Sequence, residues 1–288
     1  MFQKKWFKWL IGIVLFLSLL LNAFIIREIV VFKPFGFTKR SNKRIKQLGI
    51  FNNKVDLKEL KSDSTIFILA LGQSNAANSG GEYYTVRHNV LNFYEGTLYK
   101  AEEPLIGASG DGGCVWTMLA DKLIDSGWCK KVVIITIAQD GSTMDRWANG
   151  DLNIKLKNTL TDLNAHQIQP TWVFWHQGES DNGYSHKNYK RDLFKVVADI
   201  KAANIKAPFY CSVATYCIGV LDKQPHGLDF ELQAIQRDFI KSNANVLEGP
   251  FTDSLIYAFQ RHDTQHFSYY GNQQYAQLWF NALKNKIE

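Results

Sequence analysis

The chain has 288 residues, 46% of them hydrophobic and 21% charged, with a net charge of +6 and a sequence pI near 9.0. Such a composition excludes a disordered tail, a collagen-like chain and a disulfide-dense miniprotein. The basic balance invites a nucleic-acid reading, yet residues 1–50 hold ten basic groups and one acid, a net of +9, while the remaining 238 residues hold 23 basic and 26 acidic groups, a net of −3. The part large enough to fold thus lacks a footprint for polyphosphate, no zinc-finger or RNP-type motif replaces it, and no nucleic acid is expected as a partner.

In chain order, residues 1–8 are a short basic N-terminus. Trp9 to Ile26 runs for eighteen residues without a charge, and as a helix this stretch spans roughly 27 Å, close to one hydrocarbon core. A cleaved signal peptide would have a shorter apolar region ending in a small-x-small site, which Asn22-Ala23-Phe24 matches poorly. One transmembrane signal anchor over residues 9–32 is therefore expected, with the lipid bilayer as its partner. Lys4, Lys5 and Lys8 before the span are outnumbered by Arg27, Lys33, Lys39, Arg40, Lys43, Arg44 and Lys46 after it, which by a positive-inside count favours a cytoplasmic body. Against this, export signals begin with a short basic segment and an apolar run, and the body is expected on the extracytoplasmic side, periplasmic or at the cell surface. Residues 33–63 read as a basic juxtamembrane linker.

From residue 64 onward, short β-branched or aromatic runs alternate with longer amphipathic ones. Strands are expected over 65–71, 131–137, 171–175 and 209–216, with a weaker one near 245–247. Helices are expected over 115–124, 153–163, 187–203, 230–242 and 272–287. The strand runs are apolar throughout, as in a parallel sheet covered on both faces. A three-layer α/β/α domain with a mostly parallel central sheet over residues 64–288 follows. The four cysteines, Cys114, Cys129, Cys211 and Cys217, lack C-x-x-C or zinc spacing, and buried free thiols are the default.

In such sheets chemistry collects past the carboxyl ends of strands, and three blocks stand there. Gly72-Gln73-Ser74-Asn75 follows the first strand, where a tight turn can expose a serine hydroxyl beside backbone N–H groups; a plain turn explains it equally well. A loop with Gly141 follows the second. Trp175-His176-Gln177-Gly178-Glu179-Ser180-Asp181 follows the third, and its carboxamide and carboxylates are expensive to desolvate without a purpose. Near the C-terminus, the spacing of Asp263 and His266 allows the carboxylate to hold the imidazole Nδ1–H and leave Nε2 to accept a proton. His262 and His266 lie four apart, but no H-E-x-x-H pattern or third ligand accompanies them, and no metal is expected.

Together the GQSN block, the Gly141 loop, the W-x-Q-G-E-S-D block and the D-x-x-H block resemble the SGNH hydrolase superfamily, and more narrowly its sialate O-acetylesterase-like branch of carbohydrate esterases. Pro104-Leu105 followed by the Gly-rich stretch 109–113 also resembles that branch, and the likeness extends over residues 64–288. It implies an SGNH/flavodoxin-like fold, Ser74 as nucleophile, His266 as general base and Asp263 as its orienting acid. It further implies an oxyanion hole of the Ser74 and Gly141 N–H groups with the side-chain NH2 of Gln177. Glu179 and Asn75 are implied as supporting residues, Glu179 either assisting His266 or bracing its loop. The implied activity is removal of small acyl groups, chiefly acetyl, from carbohydrate without a cofactor. A glycan acyltransferase using the same triad and a non-catalytic glycan-binding envelope protein are the alternatives. Trp116, Trp147, Tyr184 and Tyr189 are candidates for stacking on sugar rings, with core packing as the competing explanation.

Overall fold

The structure is a computed structural model that describes residues 53–60, 64–220 and 224–285. Chain contacts divide the protein into two units, Met1–Arg40 and Ser41–Glu288, and every described residue belongs to the second. The expected basic N-terminus, the expected membrane span over 9–32 and the linker as far as residue 52 lie outside the described residues. Among the described residues no helix is long and apolar enough to cross a membrane.

Among the described residues eight strands form one sheet: β1 (Lys54–Val55), β2 (Thr65–Gly72), β3 (Val90–Tyr94), β4 (Thr97–Lys100), β5 (Lys131–Ala138), β6 (Trp172–His176), β7 (Phe209–Val213) and β8 (Val246–Phe251). Their spatial order is β1-β4-β3-β5-β2-β6-β7-β8. From β3 to β8 neighbours run parallel; the β3–β4 and β4–β1 pairs at one edge are antiparallel. Every residue of β5 and β6 is buried, which is why these strands read as unbroken apolar runs.

Six α-helices among the described residues cover the faces: α1 (Val115–Asp125), α2 (Met144–Ala148), α3 (Asp151–Ala165), α4 (Tyr189–Ala202), α5 (Phe230–Lys241) and α6 (Tyr269–Lys284). Alternate strand residues feed two cores. Ile68, Ala70, Val132, Ile134 and Phe174 pack with α1 and α6 on one face; Leu69, Leu71, Val133, Ile135 and Trp175 pack with α2 to α5 on the other. On α6 the buried residues Asn272, Tyr275, Ala276, Trp279 and Leu283 follow the spacing of one helical face, and Trp279 stacks on Phe174 with ring centroids 4.2 Å apart. The helix starts at Tyr269, ahead of the expected 272, because Ser268 caps it by accepting the Gly271 N–H.

Two further differences from the sequence expectation concern the sheet edge. The β3–β4 hairpin was not anticipated; it turns through Glu95 and Gly96, both at positive φ, the signature of a two-residue hairpin loop. The end of the expected linker also belongs to the fold. Lys54 and Val55 pair with Tyr99 and Leu98, and Glu59 meets the Lys131 Nζ at 2.7 Å. All four cysteines are free, with Cys217 beyond the end of β7.

The chain leaves β2 toward β3 and β5 on one side and places β6, β7 and β8 on the other. The carboxyl ends of β5, β2 and β6 therefore flank a topological switch point, where such sheets bind ligands.

Candidate active site

At the switch point β2 ends on Gly72, which pairs with Ala138 of β5 and His176 of β6. Gly72 has φ +148°, and a Cβ there would stand 2.0 Å from the His176 carbonyl oxygen, so only glycine fits this approach. The chain then makes a short 3-10 turn over Ser74–Ala76, held from below by the Trp116 indole N–H, which donates to the Ala76 carbonyl at 2.7 Å. The three loops are stitched together at their roots: Gln139 N–H donates to Gly72 O, and Gln73 N–H to His176 O, both at 3.0 Å. Ser74 thus sits in the turn above the central strand, with the Gly141 loop and the 177–181 loop beside it.

His266 arrives from the far end of the sequence on a small hairpin closed by the Arg261–Phe267 bridge. Asp263 Oδ1 accepts the backbone N–H groups of Gln265 and His266, at 3.0 and 2.6 Å, and its Oδ2 lies 2.6 Å from His266 Nδ1. A carboxylate there fixes Nδ1 as the protonated nitrogen and leaves Nε2 as the basic one. Burial pushes the Asp263 carboxyl up, but the hydrogen bond and charge of His266 outweigh it and hold the group well below the usual carboxylate range.

Three contacts dock this hairpin onto the chain just after Ser74. Phe267 N–H reaches Asn75 Oδ1 at 3.4 Å, Gly81 N–H donates to Phe267 O at 3.0 Å, and His262 Nε2 donates to Ser79 O at 2.9 Å. The hairpin that carries His266 is docked beside the turn that carries Ser74 in this way, and no hydrogen bond joins the two side chains. The backbone N–H groups of Ser74 and Gly141 carry no protein acceptor among the described residues.

Two supporting residues lie underneath. Asn75 Nδ2 donates to Glu179 Oε1 at 3.0 Å, and the same oxygen lies 2.6 Å from His176 Nε2. Burial alone would raise the Glu179 carboxyl; the His176 imidazole and the hydrogen bonds from His176 and Asn75 hold it down to about 2. Glu179 therefore braces the loop and makes no hydrogen bond to His266. His176, whose Nδ1 is 2.7 Å from the Tyr275 hydroxyl, belongs to this support and was not singled out in the sequence, because its partner Tyr275 is 99 residues away.

Gln177 departs from its expected role. Its side chain is fully buried; the NH2 donates to Ser142 O at 3.0 Å and to Asp181 Oδ2 at 2.5 Å, and its Oε1 accepts from the Tyr189 hydroxyl at 3.0 Å. Both amide protons are occupied within the protein, so the carboxamide does not fit as an oxyanion donor in this geometry. Of the four candidate stacking aromatics, Trp116, Trp147 and Tyr189 are buried in the cores, and only Tyr184 is exposed.

His262, Asp263 and His266 gather their metal-ligating atoms within 4.8 Å. Asp263 thus stands as a third possible ligand beside the two histidines, which the sequence spacing had not offered, while its Oδ2 lies 2.6 Å from His266 Nδ1 and His262 Nε2 donates to Ser79 O at 2.9 Å.

Among solved structures, the chain is similar to a protein from Arabidopsis thaliana (17% identity, 77% of this chain and 99% of that one, TM-score 0.62). It is also similar to two enzymes of Clostridium thermocellum. One is a family 3 carbohydrate esterase (15% identity, 77% and 96% coverage, TM-score 0.50), the other a family two carbohydrate esterase in complex with cellohexaose (14% identity, 79% and 66% coverage, TM-score 0.52). At these identities the likeness concerns the fold. No curated protein matches the sequence. The family described as "Carbohydrate esterase, sialic acid-specific acetylesterase" matches residues 63–210, about half of the chain and the whole of the Ser74, Gly141 and 175–181 blocks. The chain belongs to this carbohydrate esterase family and is a carboxylic ester hydrolase.

Proposed function

We propose that the protein is a membrane-anchored serine esterase that removes O-acetyl groups from carbohydrate through Ser74, His266 and Asp263. The observation that carries this reading is the Asp263–His266 pair at 2.6 Å, which leaves Nε2 as a base, docked beside the turn that holds Ser74. The family description and the carbohydrate esterases of the same fold support an acetylated sugar as substrate. The uncharged run over residues 9–26 and its basic flanks support the anchor. Export-type order of charge and apolar run supports an extracytoplasmic catalytic domain.

In the first half-reaction Ser74 Oγ bonds to the ester carbonyl carbon while His266 Nε2 takes the hydroxyl proton, and Asp263 stabilises the imidazolium. The carbonyl oxygen becomes an oxyanion facing the N–H groups of Ser74 and Gly141. Collapse breaks the bond to the sugar oxygen, which leaves with the proton from His266. In the second half-reaction water gives its proton to Nε2 and attacks the acetyl-serine; acetate departs and Ser74 recovers its proton.

Acetate release from p-nitrophenyl acetate and from an acetylated glycan by the wild-type chain and by Ser74→Ala tests the reading. Loss of turnover in the variant at unchanged Tm is expected; equal rates would overturn the nucleophile. Protease treatment of intact cells tests the orientation, with cleavage of the catalytic domain before lysis expected.

A further inference from the structure

We propose that the third hydrogen-bond donor to the tetrahedral oxyanion is the side-chain NH2 of Gln73, the residue immediately before the nucleophile. This rests on the esterase reading of Ser74. Gln73 is 2% exposed, and its backbone is fixed on both sides, with its N–H donating to His176 O at 3.0 Å and its carbonyl accepting from Ala76 N at 2.9 Å. Its side-chain Oε1 accepts two backbone N–H groups of the neighbouring loop, from Gly178 at 3.3 Å and from Ser180 at 3.1 Å.

Those two partners decide the orientation of the amide. Both are obligate donors, so the end that faces them is the oxygen and the opposite end is the NH2. That NH2 has no protein acceptor among the described residues, and it is not among the unpaired polar atoms sealed from solvent, a group that does include Glu179 Oε2. A nearly buried carboxamide on the residue next to Ser74 therefore keeps a donor that is unpaired within the protein and not sealed from solvent. An anionic oxygen arriving on the substrate supplies the acceptor that the protein does not. Gln177 offers the opposite picture, because its NH2 is taken by Ser142 O and Asp181.

The brace and the donor can be separated by substitution. Gln73→Glu keeps an oxygen for Gly178 and Ser180 but removes both amide protons. Gln73→Met removes brace and donor together and adds no charge. With the full-length chain in mild detergent, kcat and KM are measured on p-nitrophenyl acetate and on its thionoacetate counterpart, whose C=S accepts hydrogen bonds poorly, with Tm as the check on folding. Loss of one oxyanion donor typically costs about 10²–10³ in kcat. The expected result is a loss of that size for Gln73→Glu on the oxygen ester, with Tm and KM close to wild type and a reduced preference for oxygen over sulfur. Should Gln73→Glu fail to fold, the same reduced preference is expected of Gln73→Met. A Gln73 variant with wild-type kcat and wild-type preference overturns the proposal, as does collapse of the preference in Gln177→Ala alone. An inactive wild type, or a fully active Ser74→Ala, removes the esterase reading itself and the proposal with it.

Discussion

Beneath Ser74 a line of hydrogen bonds runs from Asn75 to Glu179, on to His176 and from there to the Tyr275 hydroxyl. The folded-state pKa of Glu179, about 2, lies below its ordinary 4.5. The native state therefore binds fewer protons there than the unfolded chain, so the stability contributed by this carboxylate is complete above about pH 4.5 and lost as pH falls toward about 2. Glu179→Gln should accordingly be less stable than wild type near about pH 7, with the gap narrowing at about pH 3. Urea unfolding at the two pH values measures this, and a gap independent of pH would contradict it. The carboxylate was visible in the sequence as a group expensive to desolvate in its loop. Which of its two implied roles it fills was not, because His176 Nε2 and Asn75 Nδ2 reach it only after β2 and β6 pair. Likewise, Trp116 and Trp147 were candidates for sugar stacking on their positions near the motifs. The fold buries both, and their indole N–H groups hold Ala76 O and Ser142 Oγ instead.

Two elements place the reacting groups, and each has a residue on which it depends. The turn after β2 requires Gly72: substitution by alanine combines a positive φ with a Cβ 2.0 Å from a backbone oxygen. Gly72→Ala should destabilise the protein by on the order of 3 kcal/mol and reduce activity with it, as thermal unfolding and acetate release would show. The His266 hairpin depends on Arg261, a buried guanidinium 3.9 Å from the Phe267 ring centroid that donates to Leu255 O and Gln265 O, both at 2.7 Å. Arg261→Met keeps apolar bulk over Phe267 but abandons the buried Leu255 carbonyl and the part-buried Gln265 carbonyl, a loss of about 1–3 kcal/mol. Activity should fall further than stability alone accounts for, since the hairpin carries Asp263 and His266. Equal kcat in the folded variant would show that the hairpin needs no such clamp. The D-x-x-H spacing was readable from the sequence, whereas the clamp was not; an arginine near a turn is ordinarily a solvated charge.

Over the whole molecule, the net charge of +6 divides into +9 on the first 50 residues and −3 on the rest. Residues 41–288 form one unit by contacts, and a chain limited to them should be soluble and retain the wild-type kcat on p-nitrophenyl acetate. Starting instead at residue 64 removes β1 and the Glu59 partner of Lys131, exposing the edge of β4; a lower Tm at similar kcat is expected by thermal unfolding. The central strands, the major helices and the order of the four motif blocks were determined by the sequence alone. Apolar runs, helical periodicity and Gly-led turns are local consequences of local residues. Which polar groups remain free for substrate was decided only by the tertiary structure. Gln73 and Gln177 are equivalent as residue types, each beside a strand end. The NH2 of Gln177 is consumed by Ser142 O and Asp181, and that of Gln73 is left open, because the acceptors that distinguish them come from other loops meeting over the sheet.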